Sequence, residues 1–278
     1  MREKAQTVSL GSSPRVFPRP EYPSFIKVLL VQGKAMLWVT GVLGTLLTLW
    51  GYPLWQESVG WLQSKGYSEA LVFTILLNGS HSILWLIVNL PLLYFDANGL
   101  MQQYKLHRNP GQIASDALYE ESIITAIFGQ LLLNPIVGYY IHSHWTSLGL
   151  LSVNTSLPSY QEIFKSLVIG HAFNDVFFYI THRIFHSRSL YWIHKQHHTF
   201  AGTIGPAAEF ANPIEILIAN IFPTFYGNLF FGTKHPYILL IWVSLRLQET
   251  WIAHSGYSFN GTILDYIGFA HTNETAHH

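Results

Sequence analysis

The sequence predicts an all-α integral membrane protein with four or more transmembrane helices and a histidine-rich cap facing the cytosol. Three observations carry that expectation. Charged residues make up 11% of the chain against 49% hydrophobic, where a soluble domain carries roughly 25% charged residues. Uncharged apolar stretches recur at about 20 residues, the length at which a helix crosses the hydrocarbon core of a bilayer. Five of the 15 histidines fall within the seventeen residues 182–198.

The elements follow in order. Residues 1–34 form a polar, basic, Pro-rich tail without an apolar h-region, so no cleavable signal peptide is expected. Residues 35–55 carry no charge over 21 positions and give a first span. A second, 71–95, is uncharged up to Asp96, and a third, 123–141, is interrupted only by Gln130 and Asn134. The stretch 167–180 is shorter and holds His171, Asn174 and Asp175. Segments 213–231 and 236–252 flank a break at Gly232, Thr233 and Lys234 and are expected to form a hairpin. The chain thus divides into the tail 1–34, a transmembrane region 35–160 and a histidine-bearing domain 161–278.

Basic residues set the orientation. Arg2, Lys4, Arg15, Arg19, Lys27 and Lys34 precede the first span, Lys105 and Arg108 lie between the second and third, and Arg183, Arg188 and Lys195 stand among the histidines. The intervening loops carry only Lys65 and, near the next span, Lys165. By the positive-inside rule the N-terminus and both histidine groups face the cytosol. Asn154-Thr155-Ser156, a glycosylation acceptor triplet, then falls in a lumenal loop, and Tyr139, Tyr140 and the tryptophans near span ends read as an aromatic belt. The absence of cysteine excludes disulfides and thiolate metal sites. Zero net charge without a basic run gives no sign of nucleic-acid binding.

His182 and His186 are spaced i, i+4, and His194, His197 and His198 are spaced i, i+3, i+4. Such spacings bring imidazoles to one side of a helix, and imidazole is the commonest protein ligand for transition metals. At about 100° per residue, His171, Asp175, His182 and His186 lie at roughly 0°, 40°, 20° and 60° on one narrow stripe. Ionisable groups at membrane depth are usually functional. His254, His271, His277 and His278 can join this cluster only if 213–252 crosses the membrane an even number of times; an odd number would separate the groups by roughly 30 Å. A zinc-protease helix needs His-Glu-x-x-His, but position 183 is arginine. Structural zinc usually includes cysteine among its ligands. Eight or so neutral imidazoles instead suit two metal ions with positions left for oxygen, which points to a non-haem diiron oxygenase. His81, His107, His142, His144 and His235 are expected at the membrane interface. Glu209 and Glu215 are expected to anchor the hairpin at the surface, the alternative being that they orient ligands. Asn273 reads as a loop residue or as the holder of a water on one metal.

The pattern His182-x-x-x-His186, His194-x-x-His197-His198 and then Trp251-Ile-Ala-His254-Ser-Gly-Tyr257 resembles the membrane fatty acid hydroxylase/sterol desaturase superfamily. The likeness runs from about residue 164 to 278 and is nearest to the C-4 methylsterol oxidase, cholesterol 25-hydroxylase and fatty-acid-hydroxylase-domain-containing group. It implies an endoplasmic-reticulum enzyme with two iron ions that uses O2. Its ligands would be His182, His186, His194, His197, His198, His254, His277 and His278, with His171, Asp175 and Asn273 in support. Asp175 occupies the acidic position that the family places before its first box. No His-Pro-Gly-Gly stretch of a cytochrome b5 segment appears, so the resemblance implies electrons from cytochrome b5 or an NADPH reductase as a separate protein. Two departures stand out. Asn212 takes the place of a histidine in the family's Ala-x-His-Pro-x-Glu, and His277-His278 stands where a His-His-Asp-x-His-His box would begin, so the third box is expected to be incomplete. The expected activity is hydroxylation or oxidation of a lipid C–H bond, with a sterol the first candidate over sphingoid and fatty acyl chains. The alternative is an inactive homologue that binds lipid or scaffolds a partner.

Overall fold

The computed structural model describes residues 46–106, 114–200, 204–232, 234–259 and 262. The tail 1–34, most of the first expected span, His107, Arg108, His271, Asn273, His277 and His278 lie outside the described residues.

From Leu46 onward the first apolar segment passes through a π-helical turn, Leu47–Gly51, into helix α1, Tyr52–Ser64. This helix runs beyond the expected end at residue 55 because Trp55, Val59 and Leu62 continue a buried stripe at helical spacing. Helix α2 covers Glu69–Ala97, its N-cap Ser68 accepting the Leu71 N–H at 3.4 Å. Helix α3, Asp116–Phe128, is capped by Ser115 and continues through a π-helical turn, Gly129–Leu133, into α4, Asn134–Ser147. Helix α5, Tyr160–Phe185, is longer than the expected 167–180. A capping box of Ser159 and Glu162 starts it early, and the turn bearing His182 extends it.

Short pieces follow: α6, Tyr191–His194, and 3-10 turns at His197–Thr199 and Gly205–Glu209. Then α7, Pro213–Glu215, leads through a π-helical segment, Ile216–Ile221, into α8, Phe222–Phe231, and α9 spans Pro236–His254. Each of the three π segments lies just before a proline, at Pro53, Pro135 and Pro223. A proline has no N–H to continue the i→i−4 ladder, and the wider π turn absorbs the break without ending the rod.

The fold is all-helical, and among the described residues the only β feature is an isolated bridge between Lys105 and Tyr257. Four helical stretches are long and apolar enough to cross a membrane: Glu69–Ala97, Asp116–Ser147, Tyr160–Phe185 and Pro213–Phe231. Their outward faces expose Ile87, Leu131, Tyr140 and Val176, as lipid rather than water would require. Inside, α5 packs along α8, α2 along α4, and α9 against α2. Gly227 permits the first of these crossings, since a Cβ there would lie 2.7 Å from Phe173 Cβ.

The two ends of the bundle are tied differently. At one end Glu69 accepts hydrogen bonds from Ser152, the Val153 N–H and the Asn154 amide. At the other, Asp96 accepts from Lys105, Tyr119 and the Tyr257 hydroxyl. Tyr257 follows His254 by three residues, so the end opposite Asn154 is the histidine end.

The histidines expected at the membrane interface divide. His81, His142 and His235 are buried at 8%, 0% and 3% exposure, and His144 is exposed. The three buried ones have specific neighbours. His142 meets the Thr146 hydroxyl and Phe73, His235 caps α9 by accepting the Tyr237 N–H, and His81 faces Asn134. Polarity alone placed them at the interface; helix packing gives them partners inside.

Candidate metal centre

The last turn of α5 presents His182 and His186 one turn apart, with their Nε2 atoms 3.1 Å from each other. A tight turn over 187–190 then brings α6 back beneath them. It seats His194 with its ring centre 4.5 Å from that of His182, and His198 4.9 Å from His186. The Nε2 atoms of His194 and His198 are 2.8 Å apart. One ligand atom from each of His182, His186, His194 and His198 lies within 4.8 Å of all the others.

The protonation pattern follows from what the other ring nitrogens do. His194, fully buried, points Nδ1 at Glu215 Oε1 over 2.7 Å. A carboxylate accepts, so the proton is on Nδ1 and the Nε2 lone pair faces the cluster. Four imidazole nitrogens this close, one with its lone pair so fixed, could hold a shared cation. The donor set suits a transition metal. Burial, with His194 adding to it, pushes the His186 imidazole below the usual histidine range, which favours the neutral, ligating form.

A second pair adjoins the first. His197 and His254 bring their Nε2 atoms to 3.3 Å, and His254 donates from Nδ1 to the Thr250 carbonyl at 2.8 Å. The His197 ring stacks on that of His194 at 5.5 Å and 21°. His254 therefore stands on the same side of the bundle as the first group, as an even crossing of 213–252 requires. The described ligand candidates thus form a group of four and a neighbouring pair.

His171 and Asp175 are not brought to the cluster. They face each other at 3.9 Å, Asp175 with 64% of its side chain exposed, and His171 packs edge-on against Trp242. The helical wheel superimposes them on His182 in projection, but a rise of about 1.5 Å per residue puts His171 roughly 16 Å further down the axis. Glu215, expected as a surface anchor, is 5% exposed and orients His194. Its signal lay in the Asn212-Pro213 helix start, where the Asn212 side chain caps the Ile214 N–H at 2.9 Å and aims the first turn inward. Glu209 accepts the Trp251 indole N–H at 2.8 Å. It ties the Gly205–Glu209 turn to α9 rather than to the surface.

Beside the centre lies a cavity of about 310 Å³. Its wall is mostly apolar and comes from α2, α3, α4, the π segments Gly129–Leu133 and Ile216–Ile221, and α9. It reaches Gln196, between His194 and His197, and Thr250, whose carbonyl holds His254.

Residues 167–278 match the family model described as "Fatty acid hydroxylase". A very-long-chain aldehyde decarbonylase of Oryza sativa subsp. indica is 31% identical over 194 residues, 69% of this chain and 70% of the relative. A methylsterol monooxygenase of Arabidopsis thaliana is 28% identical over 188 residues, covering 67% of this chain and 68% of its own length. Another, from Aspergillus fumigatus, is 26% identical over 221 residues, 78% of this chain and 72% of that protein. No solved structure matches the chain.

Proposed function

Because the chain belongs to the fatty acid hydroxylase family, we propose that it is a multi-pass membrane oxidoreductase that oxidises a lipid C–H bond with O2. The observation that carries this reading is the set of four imidazole nitrogens within 4.8 Å, set against an apolar cavity inside a helical bundle. His182, His186, His194 and His198 would hold one iron ion. His197 and His254, with His277 and His278, would hold a second. Bound iron would supply the activation of O2 that side chains alone cannot provide.

The chain's own residues do the rest. Glu215 fixes the His194 tautomer and the Thr250 carbonyl fixes that of His254, so both rings would meet the metal through Nε2. The cavity wall excludes water and holds an apolar body against the histidine end. The domain 161–278 takes one side of that wall from 35–160, so the two regions act as one body. A sterol is the substrate we favour, supported by the methylsterol monooxygenases among the relatives. Electrons would come from cytochrome b5 or an NADPH reductase, and the protein would reside in the endoplasmic reticulum with Arg183, Arg188 and Lys195 on the cytosolic side.

The test is metal content together with turnover. Protein purified in mild detergent and supplied with a reductase system should retain about two iron per chain and oxidise a 4-methylsterol. His194→Ala should lose both. Retention of zinc alone, or of no metal, would remove the oxygenase reading. Iron retention and lipid binding without oxidation would favour the inactive lipid-binding homologue.

A further inference from the structure

We infer that His81 and Glu209 form a hydroxyl-recognition site in the wall of the cavity, so that the lipid it takes is an alcohol bound through its hydroxyl group. The inference rests on the reading of this cavity as the lipid site and names the chemistry that selects the lipid.

His81 lies midway along α2 at 8% exposure, and with Asn134 and Glu209 it lines the cavity. Its Nδ1 is 3.3 Å from the Asn134 amide nitrogen. That nitrogen only donates, so Nδ1 accepts and the imidazole proton is on Nε2. Nε2 is buried without a hydrogen-bond partner, and the Glu209 Oε1 acceptor is 3.6 Å away, beyond hydrogen-bond reach. Glu209 is held in place by the Trp251 indole N–H, and the His81 ring lies against Trp251 at 5.4 Å. Asn78, one turn before His81, lines the same cavity with a buried oxygen that also lacks a partner.

A buried donor and a part-buried acceptor that face each other slightly too far apart invite a group that can serve both. A hydroxyl accepts from His81 Nε2–H and donates to the Glu209 carboxylate. A ketone or ether can only accept, leaving the carboxylate with no donor beyond the Trp251 N–H, and a carboxylate or phosphate ligand would be repelled by Glu209. Sites built to hydrogen-bond a hydroxyl discriminate strongly against analogues that lack it, because the protein groups are left buried and unpaired. The same chemistry could be offered by a sterol or by a long-chain alcohol.

Equilibrium binding decides it, measured on the full chain in detergent without reductant so that no turnover intervenes. The probes are dehydroergosterol and parinaryl alcohol, each compared with its own O-methyl ether by energy transfer from protein tryptophan. In at least one pair the alcohol should bind about tenfold or more tightly than the ether. His81→Leu should bring that pair to within about twofold, with ether affinity unchanged as evidence of an intact fold. Glu209→Gln, which keeps the Trp251 contact, should reduce the preference partially. Preference in the sterol pair alone identifies a sterol, and in the acyl pair alone a long-chain alcohol. Equal binding of alcohol and ether in both pairs, no binding in either, or a preference that survives His81→Leu overturns the inference. Alcohol preference without turnover would remove the oxidation reading alone, whereas turnover without preference would remove only this one.

Discussion

The Glu215 carboxylate meets His194 Nδ1 at 2.7 Å while Asp175 reaches only His171 on an exposed face. The two acids should therefore behave differently. Glu215→Gln replaces an acceptor that fixes the ligating tautomer, and iron retention through gel filtration should fall by roughly 10–100-fold. Asp175→Asn should leave it within about twofold, since no ligand histidine depends on it. Equal losses in both would mean that the acid before the first box acts on the centre through contacts other than those described. The histidine spacings made His182, His186, His194, His197 and His198 readable from the chain alone. Glu215 was not readable to the same degree, because its partner lies 21 residues away and only the helix start at Pro213 aims it inward. The pairing of His81 with Glu209 joins α2 to a loop that follows two further spans, and nothing local to either residue announces it.

At the scale of elements, the apolar runs marked each helix but not its ends. Ser68, Ser115 and Ser159 fix three starts through side-chain caps, and prolines following π segments carry three helices past points where they would otherwise stop. His235 also caps a helix, and its cap is pH-dependent. Burial pushes its imidazole below the usual histidine range, against the opposing pull of the Thr155 backbone and Glu162. The unfolded chain therefore binds the proton more readily than the folded one. The α9 cap loses stability as pH falls below about 6.5, the unfolded histidine value. His235→Asn keeps a capping acceptor without a titrating group. Between about pH 7 and pH 5 its thermal midpoint in detergent should fall less than that of the parent protein. An identical fall in both would show that other groups carry the acid sensitivity.

For the whole molecule, the distribution of lysine and arginine and the proximity of His254 to His197 point to the same arrangement, with every described ligand candidate at one end and Asn154 at the other. Single cysteines test it cleanly, since the chain has none of its own. Arg188→Cys and Ser258→Cys should react with an impermeant maleimide from the same side of sealed microsomes, and Asn154→Cys only after permeabilisation. Ser258 is the better probe than Gly256, whose φ of +74° disfavours any side chain. Labelling of 188 and 258 from opposite sides would break the convergence on which the metal centre depends. The hairpin was legible because two apolar runs flank one short break. The cavity was not, since its wall is assembled from helices far apart in the chain.

Phe128 belongs to that wall and is 59% exposed. A chamber open to the surrounding lipid at Phe128 would receive its ligand by diffusion within the leaflet. Its effective concentration is then a mole fraction of the bilayer, set by partitioning before any contact with protein is made. In reconstituted vesicles, adding inert phospholipid at fixed amounts of protein and substrate should slow the reaction by surface dilution. Changing the aqueous volume should leave the rate unaltered. A rate that followed bulk volume instead would mean loading from water.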